Sequence, residues 1–173
     1  MRQLILLLLI LPGSLLAAGK VTRIAKHIDA QIVAQQTAVQ PGQPLRIAVR
    51  LQMDSSWHIY WKNSGDAGYP PRLDLSATPE IVDFRLLFPA PRRFDLGAGL
   101  VSFGYEGHVL YPIEAKIPQR KSGAMAVRAR VDYLVCREEC IPNRADLALD
   151  LPARSLDSGP EISRLATARA ALP

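Results

Sequence analysis

Cysteine is almost absent: Cys136 and Cys140 are the only two among 173 residues. Histidine is scarce too, with three residues, and aromatic residues make up 6% of the chain. That scarcity excludes a disulfide-dense scaffold and a histidine-rich metal protein. Past the N-terminal segment there is no apolar stretch of the ~20 residues that a spanning helix needs. No basic helix occurs, and no basic stripe interleaved with aromatics. Arg46, Arg50, Arg92, Arg93, Arg120, Lys121, Arg128 and Arg130 are scattered, which argues against nucleic-acid binding and for a solvated basic surface.

The first nineteen residues have the layout of an export signal. Met1-Arg2-Gln3 is a short positive region and Leu4 to Leu11 an unbroken aliphatic run. Pro12-Gly13-Ser14 breaks it, and Leu15-Leu16-Ala17-Ala18-Gly19 supplies small residues for cleavage. Pro12 interrupts the run too early for a membrane anchor. Cleavage is expected after Ala18 or Gly19, with no cysteine at the new N-terminus to take a lipid. It would remove Arg2 and leave +4 of the formal +5 charge. The remainder is long enough for one domain with its own core.

Strict alternation then dominates. Ile28, Ala30, Ile32 and Ala34 share one parity. Leu45, Ile47, Val49, Leu51 and Met53 face one way, while Arg46, Arg50 and Gln52 face the other. The pattern returns at Val109–Ile117, at Met125–Val135 and at Leu147–Leu151, with shorter candidates at His58–Trp61, Leu73–Leu75 and Ile81–Phe88. This is the period of half-buried strands. Seven or eight strands, separated by Pro/Gly-rich connections and with no helical pattern between them, predict an all-β antiparallel sandwich. Trp57, Tyr60 and Trp61 are expected to fill the space between its sheets. The domain is expected over 20–152. Residues 153–173 would form a linker and a short helical tail carrying Ile162, Leu165, Ala166, Ala168 and Arg169.

The cysteine pair sits where the Val131-Tyr133-Val135 strand ends, flanking Arg137-Glu138-Glu139. A disulfide closing a ring of about five residues stabilises by roughly 2 kcal/mol in the chain-entropy model, against about 3 for fifteen. So small a return suggests a bond made to be opened. Three readings stay open on spacing alone. One is a thiol–disulfide exchange pair. The second is a static disulfide, the default in an oxidising compartment. The third is a Cu(I) site in which two thiolates are joined by His58, His108, Met53 or Met125. Arg137 favours a thiolate, and Glu138 and Glu139 oppose it.

Several segments together resemble one family. They are Trp57-His-Ile-Tyr-Trp61-Lys-Asn-Ser-Gly65-Asp-Ala-Gly68-Tyr-Pro70-Pro71, Phe88-Pro-Ala-Pro91, Phe103-Gly-Tyr105-Glu-Gly107 and Tyr133-Leu-Val-Cys136-Arg-Glu-Glu-Cys140-Ile-Pro142. In order and spacing they resemble the N-terminal periplasmic, disulfide-bond corrector-like domain of DsbD/ScsB-type thiol:disulfide interchange proteins, and more closely the ScsB-like branch. The resemblance implies an immunoglobulin-like fold and a periplasmic protein-disulfide reductase component that needs no cofactor. It implies Cys136 and Cys140 as the redox pair, and Phe103 and Tyr105 as an aromatic cap or partner-binding element. A membrane-embedded thiol reductase would donate electrons. Periplasmic thioredoxin-like proteins or disulfide isomerases, some linked to copper tolerance, would receive them. Family members usually continue into membrane and thioredoxin-like domains. This chain stops at Pro173, which fits a stand-alone carrier, a split gene or a fragment; a shuttle without its fused donor would need one in trans.

Overall fold

The computed structural model describes residues 22–25, 27–36, 38–39, 42–118 and 123–152. The expected export signal at 1–19 and the expected tail at 153–173 fall outside them. Among the described residues there are eleven strands and no helix. The first sheet has the order β1-β2-β3-β9-β6. Its strands are β1 (Thr22–Ala25), β2 (Ile28–Ala34), β3 (Pro44–Met53), β9 (His108–Lys116) and β6 (Asp83–Leu86). The second sheet comprises β11 (Cys140–Leu151), β10 (Met125–Cys136), β4 (His58–Gly65), β8 (Leu100–Glu106) and β7 (Arg92–Gly97), in the order β11-β10-β4-β8-β7. The short β5 (Arg72–Asp74) pairs with β10 where β4 has left it. Every pairing is antiparallel. The protein is an all-β antiparallel sandwich.

Alternation builds the core. Leu45, Ile47, Val49 and Leu51 of β3 meet Ile59 of β4 and Val127, Val131, Tyr133 and Val135 of β10, all buried. These long strands hide one apolar parity against the opposite sheet and turn most of their charged residues to water, which is the arrangement that makes a sandwich stable.

Three expectations are corrected by the fold. The strand count exceeds eight, chiefly because the β7–β8 hairpin was not foreseen. Its β7 strand is mostly exposed and carries no buried parity to read. The last strand begins at Cys140 rather than at Leu147, so Pro142 lies inside it. Because β11 is an edge strand, a residue without an N–H is tolerated there. Finally, Tyr60 does not lie between the sheets with Trp57 and Trp61. With Trp57 and Ile59 facing inward, period two sends Tyr60 to the outer face of the second sheet.

Candidate functional site

The β10–β11 hairpin keeps its register from Met125↔Leu151 to Cys136↔Cys140. The cysteines therefore oppose each other at the tip, with Cα atoms 4.1 Å apart, and they are joined as a disulfide. Arg137, Glu138 and Glu139 form the exposed turn between them, and Arg137 N donates to Glu139 O at 3.0 Å. The two sulfur-bearing residues differ in access. Cys136 is 1% exposed, whereas Cys140 is an exposed residue on the edge strand.

Register fixes what surrounds them. Cys136 pairs with His58, and His58 pairs with Glu106. Cys136, Leu134, His58, Tyr60 and Glu106 consequently share the outer face of the second sheet. Tyr60, Leu134 and Cys136 form a small buried cluster of their own, separate from the main core. The Tyr60 hydroxyl lies 3.7 Å from Cys140 Sγ. A disulfide sulfur has no hydrogen, so the hydroxyl is the donor. Burial pushes the Tyr60 hydroxyl above its ordinary pKa, which keeps it a donor at neutral pH.

Tyr60 is held from both sides. From the first sheet, the buried Tyr111 hydroxyl donates to Tyr60 O at 2.9 Å. Over its ring lies the loop following β4, where Gly68 has φ +78° and a Cβ would run into the ring carbons. Only glycine satisfies both demands. His58 packs edge-on to Tyr60, with ring centroids 5.3 Å apart, and against Phe94 at 5.0 Å. Its Nε2 is buried with no hydrogen-bond partner. Desolvation lowers its pKa, and the nearby Glu106 carboxylate only partly opposes that. Glu106 in turn pairs with Arg92 at 3.1 Å.

Phe103 and Tyr105 are not brought to the disulfide. Both fall on the inward parity of β8. Tyr105 is buried, donates its hydroxyl to Pro89 O at 2.7 Å and meets Tyr111 edge-on. Phe103 packs against Trp61, with centroids 6.4 Å apart. The rings that share the cysteines' face are Tyr60, His58 and Phe94. Sequence reading placed His58 only among possible ligands and missed Phe94. Counting parity back from Cys136 would not have found either, because the strand pairing was unknown.

The side chains considered for Cu(I) separate. Met53 and Met125 are buried in the core. His108 is exposed and pairs with Gln52 in the first sheet. Only His58 shares the cysteines' face. Among the described residues no three His, Cys, Asp or Glu groups gather as a metal site. Arg137 lies over the Trp57 ring, 5.4 Å from its centroid.

The family model for the N-terminal region of the thiol:disulfide interchange protein DsbD matches residues 29–152. Among solved structures, the N-terminal periplasmic domain of ScsB from Proteus mirabilis is similar, with a TM-score of 0.70 and 22% identity. That match covers 91% of this chain and 60% of the ScsB chain, so this chain spans under two thirds of that relative. At such identity the fold is what is shared. The N-terminal domain of Neisseria meningitidis DsbD in the reduced form aligns over 73% of this chain and 89% of that one, at 10% identity and a TM-score of 0.38. No curated protein matches the chain. The family match runs from β2 to the end of β11 and includes both cysteines: the chain belongs to the family of DsbD N-terminal domains of thiol:disulfide interchange proteins.

Proposed function

We propose that this is a periplasmic thiol–disulfide exchange domain that passes reducing equivalents to exported proteins through Cys136 and Cys140. The observation that carries the reading is the asymmetry of the pair. One cysteine is exposed at an edge, the other is buried against Tyr60 and Leu134, and the two oppose each other at a hairpin tip.

In the reduced domain Cys140 is the attacking group. Its thiolate attacks one sulfur of a partner disulfide in line, forming a mixed disulfide and releasing the partner's other sulfur as a thiolate, which takes a proton. Cys136 then loses its proton and attacks Cys140 Sγ, expelling the partner's remaining sulfur. Two electrons and two protons have moved to the partner, and the domain is left as the disulfide. A membrane-embedded thiol reductase restores the dithiol. Thioredoxin-like proteins and disulfide isomerases suit the receiving role, because their own disulfides are exposed. The covering role expected for Phe103 and Tyr105 passes to Tyr60 and Phe94, which share the sulfurs' face.

Equilibration of the folded protein against a thiol buffer series tests this. A potential near about −200 mV, among exchangeable couples, supports it, and one below about −300 mV, typical of structural disulfides, refutes it. Trapping supplies the assignment. Cys136→Ala should accumulate a mixed disulfide with a thioredoxin-like partner through Cys140, and Cys140→Ala should accumulate none.

A further inference from the structure

Trp57 sits between the sheets at the end of the sandwich that carries the cysteine turn, and is 2% exposed. The His27 imidazole, from the β1–β2 connection of the other sheet, stacks on its ring with centroids 4.1 Å apart and planes 8° from parallel. His27 Nδ1 lies 3.1 Å from Asp54 Oδ2. Asp54 N donates to His27 O at 3.0 Å, and Trp57 N donates to Asp54 O at 3.1 Å. Both sheets therefore fix the indole. Against it lies the Arg137 guanidinium, within cation–π range at 5.4 Å. Arg137 is the first residue between the two cysteines. The pairing Cys136↔His58, continued one step, sets it opposite Trp57.

We propose that Arg137 is a positioning residue for the exchange step: its contact with Trp57 keeps the turn closed once the S–S bond is broken, and so sets the reduction potential of the pair. The inference rests on the exchange reading above. In the disulfide, the covalent ring restrains residues 137–139. In the dithiol, the turn keeps the Arg137–Glu139 backbone bond and the indole contact. The ring prepays the ordering that the contact requires, so the contact forms more favourably in the disulfide than in the dithiol. By linkage it favours the disulfide by the same factor. Removing it should therefore shift the equilibrium toward the dithiol.

The experiment is equilibration of the folded protein with glutathione. Two glutathione thiols give up one electron and one proton each, becoming one glutathione disulfide, while the protein disulfide becomes two thiols. Arg137→Gln should move this equilibrium about tenfold toward the dithiol, or roughly +30 mV for a two-electron couple. Arg137→Lys, which keeps a cation for the ring, should stay within about threefold of the parent. In a Trp57→Phe background, which retains a ring with a weaker quadrupole, Arg137→Gln should shift it less than about threefold. The role is overturned if Arg137→Gln leaves the equilibrium unchanged. It is equally overturned if the shift is the same size in both backgrounds, since the indole would then play no part in it, or if Arg137→Gln moves the equilibrium toward the disulfide, since the charge would then be acting directly on a thiolate. A parent whose pair does not open while folded removes the exchange reading itself. A parent that opens, with variants that match it, removes only the positioning role.

Discussion

The Tyr60 hydroxyl donates to Cys140 Sγ across 3.7 Å, linking the exposed sulfur to a ring that fills the outer face beside Cys136. A donor aimed at a sulfur favours the thiolate once the disulfide opens. Tyr60→Phe keeps the ring and removes the donor. In the reduced protein the Cys140 thiol should then become less acidic. Alkylation of Cys140 near pH 7 should slow a few-fold, while unfolding stability should change by no more than about 1.5 kcal/mol, the usual range for one hydrogen bond. The pH profile of alkylation, read on the Cys136→Ala background so that one thiol reports, checks this. An unchanged profile would mean that the contact does not survive reduction.

Gly68 keeps that ring in place. At φ +78° an alanine is strained, and its Cβ would enter the Tyr60 ring. Gly68→Ala should cost about 2 kcal/mol or more, combining backbone strain with displacement of a buried ring. Because the displaced ring uncovers the sulfurs, reduction by a small thiol should also become faster. Urea unfolding of the oxidised protein gives the first quantity and the rate with dithiothreitol the second. Loss of stability without faster reduction would show that the ring does not shield the disulfide.

The reach of the sequence differs between the fold and the site. Alternation at Leu45–Met53 and Met125–Val135 identifies the long strands directly, since each buries one parity against the other sheet. It fails at β7, where Arg92 and Arg93 precede a half-buried Phe94 and no parity is hidden. The cysteines were legible as a pair because they are the only two. Their neighbours were not, because His58 and Tyr60 reach Cys136 through the pairing of β4 with β10, in which Cys136 meets His58 from more than seventy residues away in sequence. Motif position put Phe103 and Tyr105 beside the sulfurs, but the parity of β8 turns both inward.

His58 has a lowered pKa through desolvation and a buried Nε2 without a partner. The folded state therefore binds its proton later than the unfolded state does. The stability this contributes is present above the unfolded value near 6.5 and is lost as pH falls through the folded value. Parent protein should thus lose stability on acidification below about pH 6.5 more steeply than His58→Phe, whose ring can pack against Tyr60 and Phe94 without charging. Denaturant midpoints between pH 7 and pH 5 measure both slopes. Parallel slopes would assign the acid sensitivity to other groups.

At the alkaline end the sign reverses. Tyr60, Tyr105, Tyr111 and Tyr133 all have raised pKa values with burial as the leading cause, Tyr133 to about 12. Tyr105 adds to the shift at Tyr111, whose hydroxyl joins the two sheets through Tyr60 O. In the unfolded chain each ionises near pH 10. Above that pH the unfolded state has released protons that the folded state still holds, so stability falls as pH rises. The contribution of these rings is complete below about pH 10 and declines through the folded values, by up to about 1.4 kcal/mol per pH unit for each tyrosine. Absorbance of phenolate near 295 nm should then rise in a cooperative step that coincides with loss of β-sheet circular dichroism. Tyr111→Phe removes one titrating group and should flatten the decline, although it starts from a less stable protein because Tyr60 O loses its donor. Phenolate appearing gradually while the sheet signal stays intact would show that these hydroxyls reach solvent without unfolding, against the packing described for β4, β8, β9 and β10.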